Sequence, residues 1–562
     1  MNIFRVDVNA AVVHREEVHR DFLYLGGRGL TAEIITREVP PRCHPLGEKN
    51  KVVIAPGLLT GSIAPSSGRL SVGTKSPLTG TIKESNVGGT AGQALALWGV
   101  KAIVIEGVPS PGKSYLLEIG PEGVKLKDAG NVRGLGNYAA AGKLQDVYGP
   151  DVSLILAGPA GERKFPVSTV AVTDLDGNPS RHAGRGGVGA VLGAKGIKAI
   201  VIKRPAKKVL EARDKKGFSD TCKTFAEVLY KSKKALREYG TASLVEVVNA
   251  VKGLPVNNYS RGCAVQAANI SGEKLASRCK ERGGATGKPC SRSCVIQCSN
   301  VYRDPGGKYV TSGLEYETLV LMGSNCGIFE LDDIAELDFL CDDLGIDTME
   351  TGAAIAVAME AGLLPFGDAG GAKRLVEEIG KGTLLGKVLG QGALVTGKVL
   401  SVARVPVVKG QALSAYDPRV FKGTGVTYAT SPMGADHTAG NCLPGRGGVN
   451  ISQVEGQIKV SKDLQVISGI CDMLGLCIFV GPLPENLDTF ASLVSRYTGE
   501  SLSGEDLCAM SLQMLKKETS FNFSAGISPV ENDVPEFMRE EPNQDAGFVF
   551  DVPKEELHAF WD

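Results

Sequence analysis

The first 205 residues of the chain alternate short apolar segments with clusters of glycine, proline and asparagine. Segments of this length and pattern are typical of β-strands joined by tight turns. The pattern predicts strands at residues 3–8, 52–54, 70–72, 102–105, 114–119, 152–156 and 199–202. We therefore expect residues 1–207 to form a β-rich N-terminal domain.

After residue 208 the apolar positions recur three to four residues apart, which is the period of an α-helix. This period predicts helices at residues 215–239, 334–344, 349–361, 372–380, 464–474 and 485–497. Residues 406–437 lack the period and are rich in turn-forming residues, which predicts an extended segment. The sequence thus predicts an α+β protein with a β-rich N-terminal domain followed by two mainly α-helical domains, at 208–410 and 411–562.

Glycine adds to this picture, because it makes up 72 of the 562 residues, about 13% against an ordinary usage of about 7%. Four glycine-rich segments offer backbone N–H groups that suit phosphates and other anions. They lie at residues 26–29, 66–69, 85–92 and 183–189, and three of them contain an arginine. The four segments together predict one large anionic ligand lying on a sheet.

Charge and hydropathy exclude several classes of protein. The 62 basic and 62 acidic residues cancel, so no global field favours nucleic acid or anionic lipid. No apolar run reaches the roughly 18 residues of a membrane span, and charges near the N-terminus argue against a signal peptide. We therefore expect a cytoplasmic protein with reduced thiols. Residues 184–189 resemble a dinucleotide-binding loop, but the acidic residue expected about 20 positions later is missing.

Three cysteines, Cys290, Cys294 and Cys298, stand within nine residues of each other. Close-set reduced thiols bind metal or do redox chemistry more often than they form disulfides. Zinc ribbons use paired C-x2-C motifs, which this sequence lacks, whereas iron–sulfur clusters are held by several thiolates. A single helix would separate the outer Cα atoms by about 12 Å. We therefore expect an irregular cluster-binding loop; three buried residues of a helix are the alternative.

One short pattern, D-x-x-G-[IL]-[DC], occurs twice, at residues 342–347 and 472–477. Each copy ends a predicted apolar helix with glycine, which adopts the positive φ of a helix C-terminal cap at little cost. Two copies predict a ligand with two equivalent parts. The second copy ends in Cys477, which supplies a fourth thiol for the cluster, with Cys471 as the alternative.

Together with residues 315–318, 323–327 and 434–437, these motifs resemble those of the tungsten-containing aldehyde:ferredoxin oxidoreductase family over nearly the whole chain. The resemblance implies a tungsten ion held by two molybdopterins, a bis-pterin cofactor, on the β-rich domain; molybdenum is the alternative metal. It also implies one 4Fe–4S cluster beside that cofactor, bound by Cys290, Cys294, Cys298 and Cys477.

The family's pterin contacts can be transferred to matching positions of this chain. In the family a magnesium ion bridges the two pterin phosphates, at backbone that would here be Asn86 and Ala183. The implied pterin contacts are Arg69, Asn86, Gly88, Ala183, Gly184, Arg185, Asp342, Ile346, Asp347, Asp472 and Leu476. The first motif copy ends in Asp347 instead of cysteine, so we expect only one of the two pterins to have the cluster beside it.

The chain departs from the family pattern in three places. An extra residue separates Cys290 from Cys294, where the family loop reads C-x2-C-x3-C. Pro432 and Met433 stand where many members have an arginine before Gly-Ala-Asp-His. The E-x-x-H iron site that joins subunits in some members has no matching histidine.

Aldehyde oxidation requires groups that move protons beside the metal. The resemblance implies that His437 hydrogen-bonds or protonates the aldehyde oxygen, a role that suits the pKa range of histidine. Either Glu315 or Glu317 is expected to activate water. In an extended segment both carboxylates would lie on one face, so the choice between them stays open. Tyr416 and Cys326 are weaker candidates for contacts with substrate and metal.

The resemblance implies an enzyme that oxidises aldehydes to carboxylic acids and passes electrons to ferredoxin or to an iron–sulfur partner subunit. One alternative is a low-potential reductase of the same family that acts in reverse on a carboxylic acid or an aromatic acyl thioester. Radical enzymes that use S-adenosylmethionine differ in the spacing of their cysteines. A non-catalytic electron-transfer protein would carry several cysteine clusters, and this chain has one. An oligomer is compatible with the sequence.

Overall fold

The computed structural model describes every residue of the chain, Met1–Asp562. The N-terminal part contains two six-stranded sheets, and all the strands predicted there are present. The first sheet consists of β1 Asn2–Asp7, β2 Val12–Glu17, β3 Val52–Pro56, β4 Leu70–Lys75, β5 Ile82–Val87 and β6 Val100–Glu106. The second consists of β7 Tyr115–Gly120, β8 Gly123–Asp128, β9 Ser153–Ala157, β10 Val170–Val172, β11 Arg181–Ala183 and β12 Ile197–Ile202.

The two sheets are copies of one arrangement. The strand order is β2-β1-β6-β3-β4-β5 in the first sheet and β8-β7-β12-β9-β10-β11 in the second. In each sheet one neighbouring pair of strands is parallel, β1 with β6 in the first and β7 with β12 in the second. All other neighbouring pairs are antiparallel. The sequence carries a trace of the repeat that the periodicity above missed, because residues 99–105 read GVKAIVI and residues 196–202 read GIKAIVI. Lys101 and Lys198 in these segments each donate to a loop carbonyl, of Leu23 at 3.0 Å and Leu135 at 2.7 Å.

The two sheets share one core and meet at their edges. Valine, isoleucine and leucine side chains from both sheets form a single buried cluster of 26 residues. The edge strands β5 and β11 contact each other, and there the backbone N–H of Arg185 donates to Ser85 Oγ at 3.2 Å. A ligand at this contact can therefore touch equivalent positions of both sheets.

Helices cover the sheets and form most of the remaining chain. In the N-terminal part they are α1 Gly27–Glu38, α2 Ala91–Leu97, α3 Asn137–Tyr148, α4 Pro159–Glu162 and α5 Val188–Ala194. The others are α6 Lys215–Ser232, α7 Lys234–Tyr239, α8 Leu244–Ala250, α9 Gly272–Glu281, α10 Tyr316–Thr318, α11 Leu331–Leu344, α12 Thr348–Glu360, α13 Ala369–Lys381, α14 Leu384–Leu389, α15 Ala393–Leu400, α16 Lys422–Thr430, α17 Gln457–Leu474, α18 Leu487–Thr498, α19 Gly504–Ala525, α20 Glu536–Glu540 and α21 Lys554–His558.

Two small sheets complete the fold. One has three antiparallel strands, β13 Ala285–Lys288, β14 Ser299–Arg303 and β15 Tyr309–Ser312. The other is a hairpin of β16 Val407–Val408 and β17 Gln411–Ala412. Helix α10 continues as one turn of π-helix, Leu319–Gly323.

Most predicted helices are present as α11, α12, α13, α17 and α18, but two predictions from periodicity are wrong. Residues 215–239 form two helices, because Lys233 has φ −106° and ψ 30° and so separates α6 from α7. Residues 406–437 contain α16, which we expected to be extended. All nine residues of α16 are buried, so the helix has no polar face and no amphipathic period to detect.

A buried apolar cluster of 98 residues extends through both helical regions and reaches Ile3 of β1 and Leu30 of α1. Because this core crosses residues 207 and 410, the domain boundaries at those positions stay predictions. None of the helices is both long enough and apolar enough to cross a membrane.

Candidate active site

A cavity of about 330 Å³ lies between the sheet edges and the helical part. Its lining includes residues of the cysteine loop, the first D-x-x-G turn and the segment around residue 437, together with residues of the sheet edges and of the segment 312–318. The predicted site residues on its wall are Arg69, Gly88, Gly184, Cys290, Cys298, Glu315, Glu317, Asp342, Ile346, Asp347 and His437. The predicted site residues that are not part of this wall are Asn86, Ala183, Arg185, Cys294, Asp472, Leu476 and Cys477.

The cysteine loop connects β13 to β14 and is irregular, as expected. Gln297 within it has a φ of 58°, a conformation that a continuous helix excludes. Two backbone hydrogen bonds fix the loop to glycine-rich turns of the first sheet. Ser66 N–H donates to Ser293 O at 2.6 Å, and Gly89 N–H donates to Cys290 O at 2.9 Å. A contact with Cys290 lowers the pKa of Cys294 to about 7, so these two thiols lie together.

Cys477 lies beside this loop, and Arg69 links the two. Arg69 Nη2 donates to Cys477 Sγ at 3.1 Å, and the backbone N–H of Cys477 donates to Ser66 O at 2.8 Å. Burial lowers the pKa of Arg69, but Cys477, Cys290 and Cys298 raise it further, so the net pKa is above its usual range. The alternative thiol, Cys471, lies within α17, one turn before its end.

Thiols are the donor type that iron–sulfur clusters use. No three of the His, Cys, Asp and Glu side chains are close enough to hold one metal ion. In a 4Fe–4S cluster, in contrast, four cysteine thiolates hold the iron atoms. Cys294, Cys298 and Cys477 are buried and Cys290 is half-buried, so these thiols are largely shielded from solvent.

The two D-x-x-G turns occupy equivalent places on the two sheets. Helix α11 ends at Gly345 with φ 69°, and α17 ends at Gly475 with φ 76°. Gly475 packs on Gly57, which follows β3, and Gly345 packs on Gly158, which follows the equivalent strand β9. A Cβ on Gly57 would lie 2.1 Å from Gly475 Cα, and one on Gly158 would lie 2.8 Å from Gly345 Cα. Each sheet therefore holds one copy of the motif by a glycine–glycine contact.

The first residue of each motif meets a basic side chain of the N-terminal part. Arg28 Nη1 lies 3.3 Å from Asp472 Oδ2, and His182 Nε2 lies 2.9 Å from Asp342 Oδ1. Burial raises the pKa of Asp472 in spite of the opposing charge of Arg28. Asp347 accepts hydrogen bonds from Met349 N–H at 2.9 Å, as the cap of α12, and from Arg185 Nε at 3.3 Å. This aspartate thus has a structural role in addition to the predicted one.

Glu315 and Glu317 point to different partners, so the expectation that they share one face is wrong. Glu315 is extended, and its Oε2 accepts from Thr241 Oγ1 at 2.6 Å. Glu317 belongs to α10, and its Oε2 accepts from the backbone N–H of Ala415 at 2.8 Å. The change from extended to helical backbone between them replaces the two-residue period of a strand with that of a helix.

Glu317 lies next to His437. Glu317 Oε1 makes no hydrogen bond, and its charged neighbour is His437 Nε2 at 3.3 Å. Burial raises the pKa of Glu317, and the charge of His437 opposes that shift. On its other side, His437 Nδ1 lies 2.9 Å from Ser414 Oγ, and the ring of Tyr416 is 5.8 Å away between centroids. These groups together can hold and move a proton at the cavity wall.

A salt bridge keeps the residue before this histidine ionised. Lys83 Nζ donates to Asp436 Oδ2 at 2.7 Å, with both side chains almost fully buried. Burial alone would raise the pKa of Asp436, but Lys83 and Arg185 hold it well below its usual range. Asp436 also accepts from Thr438 N–H at 3.1 Å, which fixes the turn that presents His437.

The surroundings of the cavity fit a polar ligand. Several buried polar atoms there have no hydrogen-bond partner: Asn86 Nδ2, Glu84 Oε1, Arg181 Nε, Ser299 Oγ and Ser312 Oγ. A Cβ on Gly184 would meet nothing within 4 Å, so this glycine borders open space. Buried polar groups are rarely left unpaired in proteins. The residues present therefore suit a large group with many donors and acceptors, as two pterins are.

Some residues of this region had escaped the sequence analysis. Arg28 is fully buried and also binds Glu518 at 2.6 Å, and His182 contacts the first motif. Both stand in or next to a glycine-rich segment, where a charged residue is a signal of a ligand or a buried partner. Ser414 had no such signal, because only tertiary contact brings it to His437. Cys326 donates to backbone carbonyls in the core and is not part of the cavity wall.

Comparisons with known proteins agree with this arrangement. The family model "Aldehyde ferredoxin oxidoreductase, N-terminal domain" matches residues 3–204, and "Aldehyde ferredoxin oxidoreductase, domains 2 & 3" matches residues 220–560. A tungsten-containing aldehyde ferredoxin oxidoreductase of Pyrococcus furiosus is 32% identical over 567 residues, covering 96% of this chain and 91% of that protein. The enzyme of the same name from Pyrococcus horikoshii is 33% identical, with the same coverage.

A more distant relative and a solved structure extend the comparison. The aliphatic sulfonate oxidoreductase, WOR-like subunit, of Pyrococcus furiosus is 28% identical over 79% of this chain and 75% of that protein. The active-site complex BamBC of benzoyl coenzyme A reductase shares the fold, with a TM-score of 0.79, 18% identity, and coverage of 95% and 90% of the two chains. The family models and the identity over nearly the whole length show that this chain belongs to the aldehyde ferredoxin oxidoreductase family.

Proposed function

We propose that the protein is a tungsten-dependent enzyme that oxidises aldehydes to carboxylic acids and passes the electrons to ferredoxin or an iron–sulfur partner subunit. One observation carries the proposal: a single cavity has the Glu317–His437 pair on its wall and two cysteines of the cluster loop on the same wall. Proton-transfer groups and electron-transfer ligands thus face one space. The Pyrococcus relatives named above carry the same activity in their names.

The cofactor would be a tungsten ion between two molybdopterins, with molybdenum as the alternative metal. Asp342, Asp472 and the glycine-rich turns would hold the pterins, because carboxylates accept strong hydrogen bonds from ring and amino N–H groups. A magnesium ion would lie near Asn86 and Ala183, on the edge strands β5 and β11. The unpaired Asn86 Nδ2 and the open space at Gly184 support a ligand along the contact between these two edge strands.

A 4Fe–4S cluster would bind Cys290, Cys294, Cys298 and Cys477. The support for this set is the position of Arg69, which donates to Cys477 Sγ and whose pKa is raised by Cys477, Cys290 and Cys298. Its guanidinium would offset part of the negative charge of four thiolates. Arg69 also lines the cavity, so the same residue would touch both cofactors.

When bound, the metal supplies a Lewis acid and an acceptor for two electrons. Glu317 would accept the proton of the attacking water at Oε1, which has no hydrogen bond of its own. Burial raises the pKa of Glu317, which brings it closer to the working pH and makes it a better base. His437 would hold a proton at Nε2 for the aldehyde oxygen, with Ser414 orienting the ring through Nδ1.

We assign Glu317 rather than Glu315 to proton transfer. Glu315 is held by Thr241 and lies 4.0 Å from Arg181, on the side of the cavity where Cys298 lies. Its carboxylate would shape the field beside the cluster without contact to His437.

The test is metal analysis of the purified protein together with an aldehyde-dependent assay that uses a viologen dye. We expect about one tungsten (or molybdenum) and about four iron atoms per chain, and dye reduction that depends on aldehyde. Iron without tungsten or molybdenum, and no aldehyde-dependent reduction, would identify an electron-transfer protein instead. Direct reduction of NAD without any added protein or dye would refute an external electron acceptor.

A further inference from the structure

The surface next to the cysteine loop carries a group of positive charges without ion pairs. The seven residues from Lys231 to Arg237 include four basic residues and no carboxylate. None of the four lies within 4.0 Å of a carboxylate oxygen, whereas Lys215 at the other end of α6 pairs with Glu211 at 2.8 Å. In a chain whose formal net charge is zero, this segment, the 231–237 patch, is a local concentration of charge.

The 231–237 patch is in direct contact with the cysteine loop. Arg237 Nη2 donates to Val295 O at 3.5 Å, between Cys294 and Cys298 in sequence. At the end of α7, a Cβ on Gly240 would lie 2.8 Å from Cys298 O, which shows how closely the backbones approach. The patch therefore lies immediately outside the predicted cluster site.

Lys233 and Arg292 extend the charge toward the predicted cluster ligands. Burial and the charge of Arg446 lower the pKa of Lys233, whereas Cys477 raises it. This lysine therefore lies within electrostatic reach of the fourth predicted ligand. Arg292 is exposed within the cysteine loop itself and has no carboxylate within 4.0 Å. Basic side chains thus lie on the loop itself and on the neighbouring α6–α7 segment.

Apolar side chains accompany these charges. Tyr230 is 60% exposed and Val228 is 53% exposed, on the last turns of α6. The guanidinium of Arg237 stacks over the Tyr230 ring at 3.8 Å. Protein interfaces commonly combine exposed aromatic and arginine side chains with a polar rim. Glu227 and Glu238 are the nearest acidic residues in sequence.

We propose that the 231–237 patch, with Tyr230 and Arg292, is the docking surface for a small, acidic electron-carrier protein of the ferredoxin type. The proposal rests on the proposed function, because it names where electrons leave the enzyme. Oxidation of one aldehyde by one water gives one carboxylic acid, two protons and two electrons. Two one-electron carriers would accept the electrons in turn through the cluster, and the protons would go to solvent.

The experiment compares two double charge reversals in the holoenzyme. The test variant is Lys231→Glu/Lys234→Glu; both lysines are exposed. The matched control is Lys387→Glu/Lys398→Glu, which changes two exposed helical lysines without ion pairs, on α14 and α15. For each protein, the dissociation constant for an acidic 4Fe–4S ferredoxin and the rates with ferredoxin and with benzyl viologen are measured at low and high ionic strength.

We expect the test variant to bind ferredoxin at least about tenfold more weakly at roughly 0.01 M ionic strength, where charges act over about 30 Å. The control should stay within about twofold of the wild type, the difference should vanish near 1 M salt, and viologen rates should not change. Equal ferredoxin binding by both variants would overturn the proposal, as would a carrier that remains bound at 1 M salt. Ferredoxin binding that follows the expected pattern without aldehyde oxidation would contradict the proposed function and leave the docking surface in place.

Discussion

Two pairs of a carboxylate and an imidazole side chain line the cavity, and their surroundings suit them to different roles. Asp342 and His182 belong to a D-x-x-G turn and the edge of the second sheet. Glu317 and His437 lie beside Tyr416, in a part of the wall where the carboxylate has a free oxygen. The second pair therefore has a carboxylate oxygen available to take a proton from a small substrate.

The first prediction at this scale concerns His437. We expect His437→Ala to keep tungsten and iron but to lose roughly 10²–10⁴ in aldehyde oxidation rate, the usual contribution of one general acid or base. Metal analysis and viologen-linked rates check both parts. Ser414→Ala is a useful companion, since it removes only the 2.9 Å contact that orients the ring. Near-normal turnover of His437→Ala would remove this histidine from the mechanism.

The second prediction separates the two glutamates. Glu317→Gln should lose a similar factor of about 10²–10⁴ because its free oxygen can no longer accept a proton. Glu315→Gln is the matched control; it can keep the hydrogen bond from Thr241 and should stay within a few-fold of the wild type. Steady-state rates with one aldehyde are sufficient. The reverse order of effects would move the base to Glu315.

The third prediction uses the pKa of Glu317, which burial raises in the folded protein. A raised carboxyl pKa gives stability that is complete below the unfolded value of about 4.3 and is lost as pH rises through the folded value. Glutamine does not titrate, so the melting temperature of Glu317→Gln relative to the wild type should increase as the pH rises above about 4.3. Thermal unfolding at several pH values measures this. A difference that is constant with pH would show that Glu317 is not held in a desolvated site.

At the scale of elements, the two helix ends with the D-x-x-G motif combine equivalent backbones with different final residues. Both end in a glycine with positive φ that packs on a glycine of its own sheet. One then presents Cys477 to Arg69, and the other presents Asp347 to Arg185. The two motif copies thus have equivalent backbones but different surroundings. Only the copy that ends in Cys477 lies next to the cysteine loop.

The fourth prediction tests that asymmetry with one substitution in each copy. Cys477→Ala should lose or degrade the 4Fe–4S signal in electron paramagnetic resonance. Asp347→Ala should keep that signal but retain less pterin, and loss of the α12 cap should cost about 1 kcal/mol of stability. An unchanged cluster signal in Cys477→Ala would indicate Cys471 or another thiol as the fourth ligand.

At the scale of the whole molecule, the cavity lies where the sheets meet the helical part, so its ligand would join them. The charges of this region are mutually balanced across that junction: Arg28 with Glu518, Lys83 with Asp436, and Arg185 with Asp347. Several polar atoms remain unpaired there. A cofactor that satisfies them binds the native state alone and stabilises it.

The fifth prediction follows from this linkage. Protein produced without tungsten and molybdenum should unfold at a lower temperature than the holoenzyme, and the difference should grow with cofactor occupancy. Calorimetry of samples with measured metal content tests this. The Lys387→Glu/Lys398→Glu protein is the control, because neither lysine lines the cavity. Its melting temperature should fall by the same amount as that of the wild type when the metals are withheld. Equal melting temperatures with and without the metal would indicate that the cavity is stable without its ligand.

Much of the chemistry could be predicted from the sequence because it depends on local spacing. The strands, the cysteine loop, the glycine-rich turns and the two D-x-x-G helix ends all reflect neighbours within a few residues. The buried helix α16 and the break at Lys233 were missed because neither leaves an amphipathic trace. The repeat of the two sheets left only a seven-residue similarity, which a search for hydrophobic periods does not detect.

The sequence by itself determined which residue types are available: four thiols, one histidine in Gly-Ala-Asp-His, two nearby glutamates and a basic segment where α6 ends and α7 begins. Only the tertiary structure decided that Glu317 and not Glu315 meets His437, and that the 231–237 patch lies against the cysteine loop. The physical reason is that these contacts join residues far apart in the chain. Their geometry depends on how whole helices and sheets pack, which no local pattern records.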